Sequence, residues 1–408
     1  MEINMEVAIR KAIETEKENL ASTISTPIWN HPELGFEEHH AHDLLTNYLE
    51  KNDFKVQRNY ILQTAFRAEY GYLGNDAKYT ICVMCEYDAL PDIGHACGHN
   101  LIAEAGIAAA IGIKAAVNFQ DVKGKLVVMG TPAEEGGGGK SILIAAGALK
   151  GVDVAMMVHP GPYDVLGPRL LAVERLQIQY LGKAAHASLA PWEGVNALDA
   201  AVICYSSIAF GRQHMRPNCR VHGIITNGGA KPNITPSETE LLFYIRASEN
   251  ESLDVLKKSV LNSAEGAAIS TGCEMKYEFQ PHGYESFRYI PPLQNLYKGF
   301  AEKLGNLKTK EKKSKLSNNY LYEEKYKDSF MGSTDMGNVS QVVPSIHPIY
   351  SIKTTAANHT KEFADAAGHD DAQNPTLTAA ICMALSAYQL FTDESLQHQV
   401  KMAFKTNE

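Results

Sequence analysis

Apolar positions recur along this chain with two different periods. Over residues 4–28 and 36–51 they return at helical spacing among charged residues, which predicts two helices. YTICVMCEYDAL (79–90) is an almost unbroken apolar run that turns acidic, the pattern of a buried strand running into a loop. LIAEAGIAAAIGIKAAVNF (101–119) has the alanine-rich composition of a packed helix, GKLVVMGTPAEE (124–135) reads as a strand ending in a loop, and VDVAMMVHP (152–160) repeats that form. Open α/β sheets place ligands where strands end. The three strand ends here carry Asp88, Glu134 with Glu135, and His159.

The middle of the chain follows another rhythm. From Leu171 to Tyr284 it reads as a strand (LAVERLQIQYLG), a helix (VNALDAAVICYSSIAFGRQHM), two strands (RVHGIITNGG, TELLFYIRA), a helix (SLDVLKKSVLNSAEGAAIST) and a strand (CEMKYEFQPHGY). That βαββαβ order predicts a ferredoxin-like sandwich. Strand and helix signals resume near residue 292, so the expected organisation is an α/β/α catalytic domain, residues 1–170 and 289–408, with the sandwich inserted as residues 171–288.

Composition narrows the chemistry. The 408 residues are 45% hydrophobic and 21% charged, the balance of an ordinary globular chain. The first twenty residues alternate charge with short apolar runs, unlike a signal peptide, and no run approaches the roughly 18 consecutive apolar residues of a membrane span. Seven thinly spread cysteines suit a reducing compartment, so a cytoplasmic protein with no membrane partner is expected. A net charge of -9 argues against nucleic acid as a partner. The lysine-rich segment 308–319 reads as a solvated loop or helix end.

HACGHN, residues 95–100, places Cys97 and His99 two positions apart, a step that lets both side chains face one ion. Redox chemistry fits poorly, because the sole CxxC, Cys82 to Cys85, falls inside an apolar strand. TPAEEGGGG (131–139) adds two adjacent carboxylates at a strand end, followed by glycines that would let the backbone approach ions. Hydrolysis of an unactivated amide needs a nucleophilic water and a base, which a metal and a neighbouring carboxylate supply together. One of Glu134 and Glu135 could bind metal while the other handles protons.

In order, DALPD, HACGHN, GTPAEEGGGG, VHP, GKAAHAS, NGGAKPNITP and GSTDMGNVS followed by NHT make the chain similar to the dimetal aminoacylase and carboxypeptidase family of metallopeptidases, and within it to the amidohydrolase branch. HACGHN, PWEGVNALDAA and VHGIITNGGAKPNITPS most resemble the dipeptidases of β-alanyl-lysine type, which act on dipeptides ending in a basic residue. The resemblance implies two divalent ions bridged by Cys97, with His99, Glu135, His159 and His359 as further ligands, Glu134 as general base, and Asp88 orienting a ligand imidazole. It implies that His186 of the inserted domain stabilises the oxyanion from the other protomer of a homodimer, and that Asn233, Arg246, Gly332 and Ser333 bind substrate, the last two from the catalytic domain. Thiolate and imidazole suit zinc, with manganese or cobalt left open. Asn100 departs from the branch, which usually carries Asp there, and would make the site less negative.

The other histidines are assigned no chemistry. His31, His39, His40 and His42 fall on a helix and its approach that look exposed; His95 reads as lying behind the ligands, and His347 as packed. Two rival functions stand beside a dipeptidase: an N-acyl-amino-acid or aminobenzoyl-glutamate amidohydrolase, and a non-catalytic binding protein that retains the fold. The second predicts missing ligands, whereas every ligand position and the base position are filled.

Overall fold

The structure is a computed structural model that describes residues 5–72, 78–118, 122–307 and 332–406. The lysine-rich segment 308–319 lies outside them. The chain divides into two compact units: one comprises Met1–Pro168, Arg288–Ser329 and Asn338–Glu408, the other Arg169–Phe287 and Phe330–Gly337.

The first unit holds strands β1 (Lys55–Arg58), β2 (Phe66–Gly71), β3 (Tyr79–Cys85), β4 (Gly124–Gly130), β5 (Val154–Met156) and β6 (His159–Gly161). The second holds β7 (Ala172–Leu181), β8 (Cys219–Asn227), β9 (Glu238–Ala247) and β10 (Glu274–Phe279), and the first resumes with β11 (Ser345–Ile346) and β12 (Ile349–Ser351). The first unit's main sheet has the order β1-β2-β4-β3-β5-β11, with β4, β3, β5 and β11 parallel. β3 is buried at every position, as a parallel central strand covered on both faces requires. Against it packs the helix His99–Val117, apolar around almost its whole circumference and itself covered by Met5–Thr15 and Gln373–Thr392. That helix is long and apolar enough to cross a bilayer, yet most of its side chains are buried in this core. Truncating one, such as Ile107→Ala, would cost roughly 2–5 kcal/mol.

The N-terminal helical stretch, interrupted at Glu16, reaches Asn30, just past the expected end. Ser22 and Thr23 return their hydroxyls to the carbonyls of Glu18 and Asn19, and the backbone widens into a π-helical turn at Ala21–Ser25 before continuing to Asn30. The turn leaves Ser25 buried, where it accepts from the Asn100 amide at 3.2 Å. The apolar run 152–160 is two short strands, not one, because β6 leaves the main sheet to pair with β12.

The second unit is the antiparallel sheet β10-β7-β9-β8 with helices Ala197–Gly211 and Asn250–Thr271, the βαββαβ order of a ferredoxin-like sandwich. Alternation in β9 is strict: Thr239, Leu241, Phe243, Ile245 and Ala247 are buried, and Glu240, Leu242, Tyr244 and Arg246 form the other face.

Candidate metal centre

Every predicted metal ligand lies in the first unit, and the structure brings them together. Cys97, His99 and His159 offer ligand atoms within 4.8 Å of one another, as do Cys97, Glu135 and His359. Cys97 therefore belongs to both triplets. Its Sγ is 3.5 Å from His159 Nε2, and His359 Nε2 is 3.3 Å from Glu135 Oε1.

The backbone explains the motif spacing. Gly98 sits at φ +79°, and a Cβ there would lie 2.6 Å from Pro160 Cγ, so glycine alone lets the HACGHN turn press against the strand that carries His159. The helix starts at His99, directly after this left-handed residue. Asn358 donates to the carbonyls of Cys97 and Pro160 at 3.4 and 3.3 Å, and the His359 amide bonds to Ala96 O at 2.8 Å, which fastens the late segment to both earlier ones. In the AEEGGGG loop a Cβ on Gly139 would lie 1.9 Å from Pro132 O, so a glycine there lets the chain approach itself closely.

Asp88 joins two motifs. Its Oδ1 lies 3.0 Å from His99 Nδ1, and its Oδ2 accepts from the Glu135 amide at 2.9 Å. Burial alone would raise its pKa, but His99, the Glu135 amide and Lys140 outweigh it and hold the carboxyl below its ordinary range. With Nδ1–H committed to Asp88, neutral His99 turns the Nε2 lone pair towards Glu86 Oε2 at 3.5 Å and towards Glu134 Oε2 and Glu135 Oε1, each at 3.9 Å. Among the described residues, His99 Nε2 and Glu86 Oε2 are both buried without a hydrogen-bond partner. Such a cage of acceptors is satisfied by a cation between them or by a proton on the imidazole. Burial opposes charge on His99, yet Cys97 and Asp88 outweigh it and hold its pKa well above the imidazole value. His159, by contrast, is lowered to about 4 by burial and by His99, which keeps its ring a neutral donor. His359 is raised by its contact with Glu135. Sulfur, imidazole and carboxylate donors in two triplets that share a thiol fit divalent transition-metal ions.

Several side chains at the site were not singled out from the sequence. Glu86 and Lys140 form a fully buried ion pair beside His99. Glu38 accepts from the Ala133 amide at 2.8 Å and from Thr64 Oγ1 at 2.7 Å, so it braces the loop that carries Glu134; burial, opposed by Thr64, raises it to about 7. His42 is buried, contrary to the exposed reading, because it shares the inward face of its helix with Ala41, Leu45 and Leu49. His31 and His39 are exposed. His95 is buried and lowered to about 4 by burial and by His99; His347 packs edge-on against His159, ring centres 5.6 Å apart. Asn100 gives its amide protons to Ser25 Oγ and, at 3.0 Å, to Ala367 O, bonds a carboxylate could not donate.

The remaining predicted residues group in the second unit. Ala187 N donates to Asn233 O at 3.2 Å, and the backbones of His186 and Ile234 pair, which sets His186 beside Asn233 on exposed loops. His186 Nδ1 accepts from the amides of Leu189 and Ser188 at 3.3 and 3.4 Å, so the ring proton sits on Nε2. Arg246 Nη1 donates to Ser333 Oγ at 2.9 Å, and Leu171 N to Gly332 O at 3.0 Å. Gly332 and Ser333 thus group with this unit and not, as expected, with the catalytic one, because those bonds tie them to β9 and to the residue before β7.

Compared with known proteins, the chain is 42% identical over 412 residues to the Xaa-Arg dipeptidase of Mus musculus, covering 98% of this chain and 93% of that protein. The chain belongs to the M20 metallopeptidase family. It is accordingly a hydrolase. Residues 175–270, within the second unit, match the peptidase dimerisation domain. One component of the p-aminobenzoyl-glutamate hydrolase of Escherichia coli is 34% identical over 291 residues, covering 66% of this chain and 60% of that one. Among solved structures, a dinuclear metal-binding M20 peptidase from Bacillus subtilis superposes with a TM-score of 0.63 at 19% identity, over 90% of this chain and 98% of that one, and so shares the fold.

Proposed function

We propose that this M20 hydrolase is a dinuclear-metal dipeptidase that cleaves the amide bond before a basic C-terminal residue. The observation that carries the metal chemistry is Cys97, shared by two ligand triplets. The likeness to proteins named Xaa-Arg dipeptidase supports the substrate class, and the net charge of -9 favours cationic substrates.

Cys97, His99 and His159 would hold one ion and Cys97, Glu135 and His359 the other, with zinc as the native metal. When bound, the ions would supply Lewis acidity towards the scissile carbonyl and make water acidic near neutral pH. The protein's own part is proton handling and charge placement. Glu134, buried and 3.9 Å from His99, takes the proton of the attacking water and returns it to the departing amine. His186 presents Nε2–H to the developing oxyanion, which its Nδ1 contacts fix as the donor. Asn233 contacts the substrate, while Arg246, steadied by Ser333 beside the Gly332 backbone, pairs with its terminal carboxylate.

The chain acts as a homodimer through the inserted domain. The dimerisation-domain match supports this, together with exposed Ile224 and Ile225 on the edge strand β8 and Phe210 on the neighbouring helix. Seven free, buried thiols support a cytoplasmic site of action.

The likeness to the aminobenzoyl-glutamate hydrolase supports a second reading, an aryl- or acyl-amino-acid amidohydrolase. Metal-loaded protein assayed on β-alanyl-lysine, carnosine, hippurate and aminobenzoyl-glutamate separates the two. The dipeptidase reading requires the highest kcat/KM on β-alanyl-lysine; faster cleavage of aminobenzoyl-glutamate or hippurate replaces it with the second.

A further inference from the structure

Glu86 follows β3 directly, and its side chain is out of contact with solvent. Oε1 is bonded to Lys140 Nζ, from the first turn of the helix Gly139–Ala145. Among the described residues Oε2 has no hydrogen-bond partner, and it stands 3.5 Å from His99 Nε2, which has none either. Because His99 Nδ1 is engaged by Asp88, these two facing atoms are both acceptors whenever the imidazole is neutral. Glu86, His99 and Glu134 offer ligand atoms within 4.8 Å of one another, a third group that shares His99 with the Cys97–His99–His159 triplet.

An ion pair buried only for structural reasons is expected to satisfy its remaining polar atoms, since an unpaired buried carboxylate oxygen is costly. Glu86 leaves one oxygen without a hydrogen bond among the described residues, on the side that faces His99. Lys140 is equally out of place by local rules: a cation in the first turn of a helix opposes the backbone dipole, and this one is also buried. Both departures have one explanation. We infer that Glu86 is a further carboxylate donor on the His99 side of the metal centre, and that Lys140 is the positioning residue that anchors its other oxygen. The ammonium also offsets negative charge where a thiol and several carboxylates crowd together.

This inference rests on the dinuclear reading above, and the test separates the two. Full-length protein is stripped with a chelator and titrated with zinc against a chromophoric competitor, with the zinc content measured by mass spectrometry. Glu86→Gln, of nearly the same shape, should weaken one of the two zinc affinities by roughly 10–100-fold and leave the other within about twofold. Lys140→Met should weaken the same ion by less, and adding it to Glu86→Gln should cost nothing further, because the pair acts as a unit. Should a lone charge unfold either variant, Glu86→Leu with Lys140→Met removes both charges and should reproduce the Glu86→Gln loss in a folded chain. A purely structural pair would instead lower the melting temperature of the metal-free chain and leave both zinc affinities unchanged. That result, or an equal loss at both ions, overturns the inference alone. Wild-type protein that takes up no zinc overturns the metal centre and this inference with it.

Discussion

Asp88 Oδ1 lies 3.0 Å from His99 Nδ1, and neither side chain reaches solvent. The contact fixes which imidazole nitrogen carries the proton, and so directs the other towards Cys97 and the carboxylates. Asp88→Asn keeps the shape but can offer an amide proton to Nδ1, which moves the ring proton to Nε2 and blocks the donor atom. The expected result is a folded protein with metal affinity reduced about 10–100-fold. Chelator competition beside circular dichroism measures it, and an unaltered affinity would show that Asp88 does not set the tautomer.

On the proposed reading the adjacent glutamates divide the labour. Glu135 is held by Asp88 through its amide and by His359 through its carboxylate, whereas Glu134 belongs to neither triplet that contains Cys97. Glu134→Gln should keep its metals and lose at least about a hundredfold in kcat, since an amide accepts no proton from water. Glu135→Gln should lose metal instead. Turnover surviving in fully metallated Glu134→Gln would reassign the base.

Much of this site is legible in the sequence because its residues are conspicuous there. A cysteine and two histidines within six positions, or two glutamates before four glycines, suit neither a core face nor a solvated one. The fold is legible for a related reason: period-two runs such as TELLFYIRA leave little choice of face. Glu86, Lys140 and Glu38 were missed because each resembles an ordinary charged residue at the end of an element. Signals for them exist. Glu86 stands two positions before Asp88, the same step as Cys97 to His99, and Lys140 opens a helix where the dipole disfavours a cation. Glu38 was hidden by a helix expected from residue 36; the helix begins at His39, its first amides held by Glu33, which leaves Glu38 to reach the Ala133 loop. The grouping of Gly332 with the inserted domain depends on a bond to Leu171, more than 150 positions away, and local pattern carries no trace of that.

Glu104 gives the fold its own pH dependence. It is buried in the core helix, accepts from Gln373 Nε2 at 3.1 Å, and is raised from 4.5 to about 7, burial outweighing its hydrogen bonds to Ser25 and Gln373. Between those values the folded chain holds a proton that the unfolded chain releases, so this group's contribution to stability falls as pH rises from about 4.5 to 7. Glu104→Gln removes that loss. Relative to wild type, its unfolding free energy should rise by about 2–3 kcal/mol between about pH 4.5 and pH 8. Urea unfolding of metal-free protein at both values measures the difference, and parallel pH profiles would refute it.

His186 lies in the unit that carries the dimerisation-domain match, while every candidate metal ligand and Glu134 lie in the other. If one protomer's His186 serves its partner's metal centre, two inactive variants should complement each other. His186→Ala and Glu134→Gln, mixed and allowed to exchange subunits, form dimers of which about half are mixed. In each mixed dimer one site then receives both lesions and the other receives neither, so roughly a quarter of wild-type activity should return if the sites are independent. A histidine acting within its own chain leaves one lesion in every site, and activity stays at the level of the separate variants. Native mass spectrometry of the mixture establishes exchange independently, so a silent mixture containing mixed dimers counts against the shared site and not against the mixing.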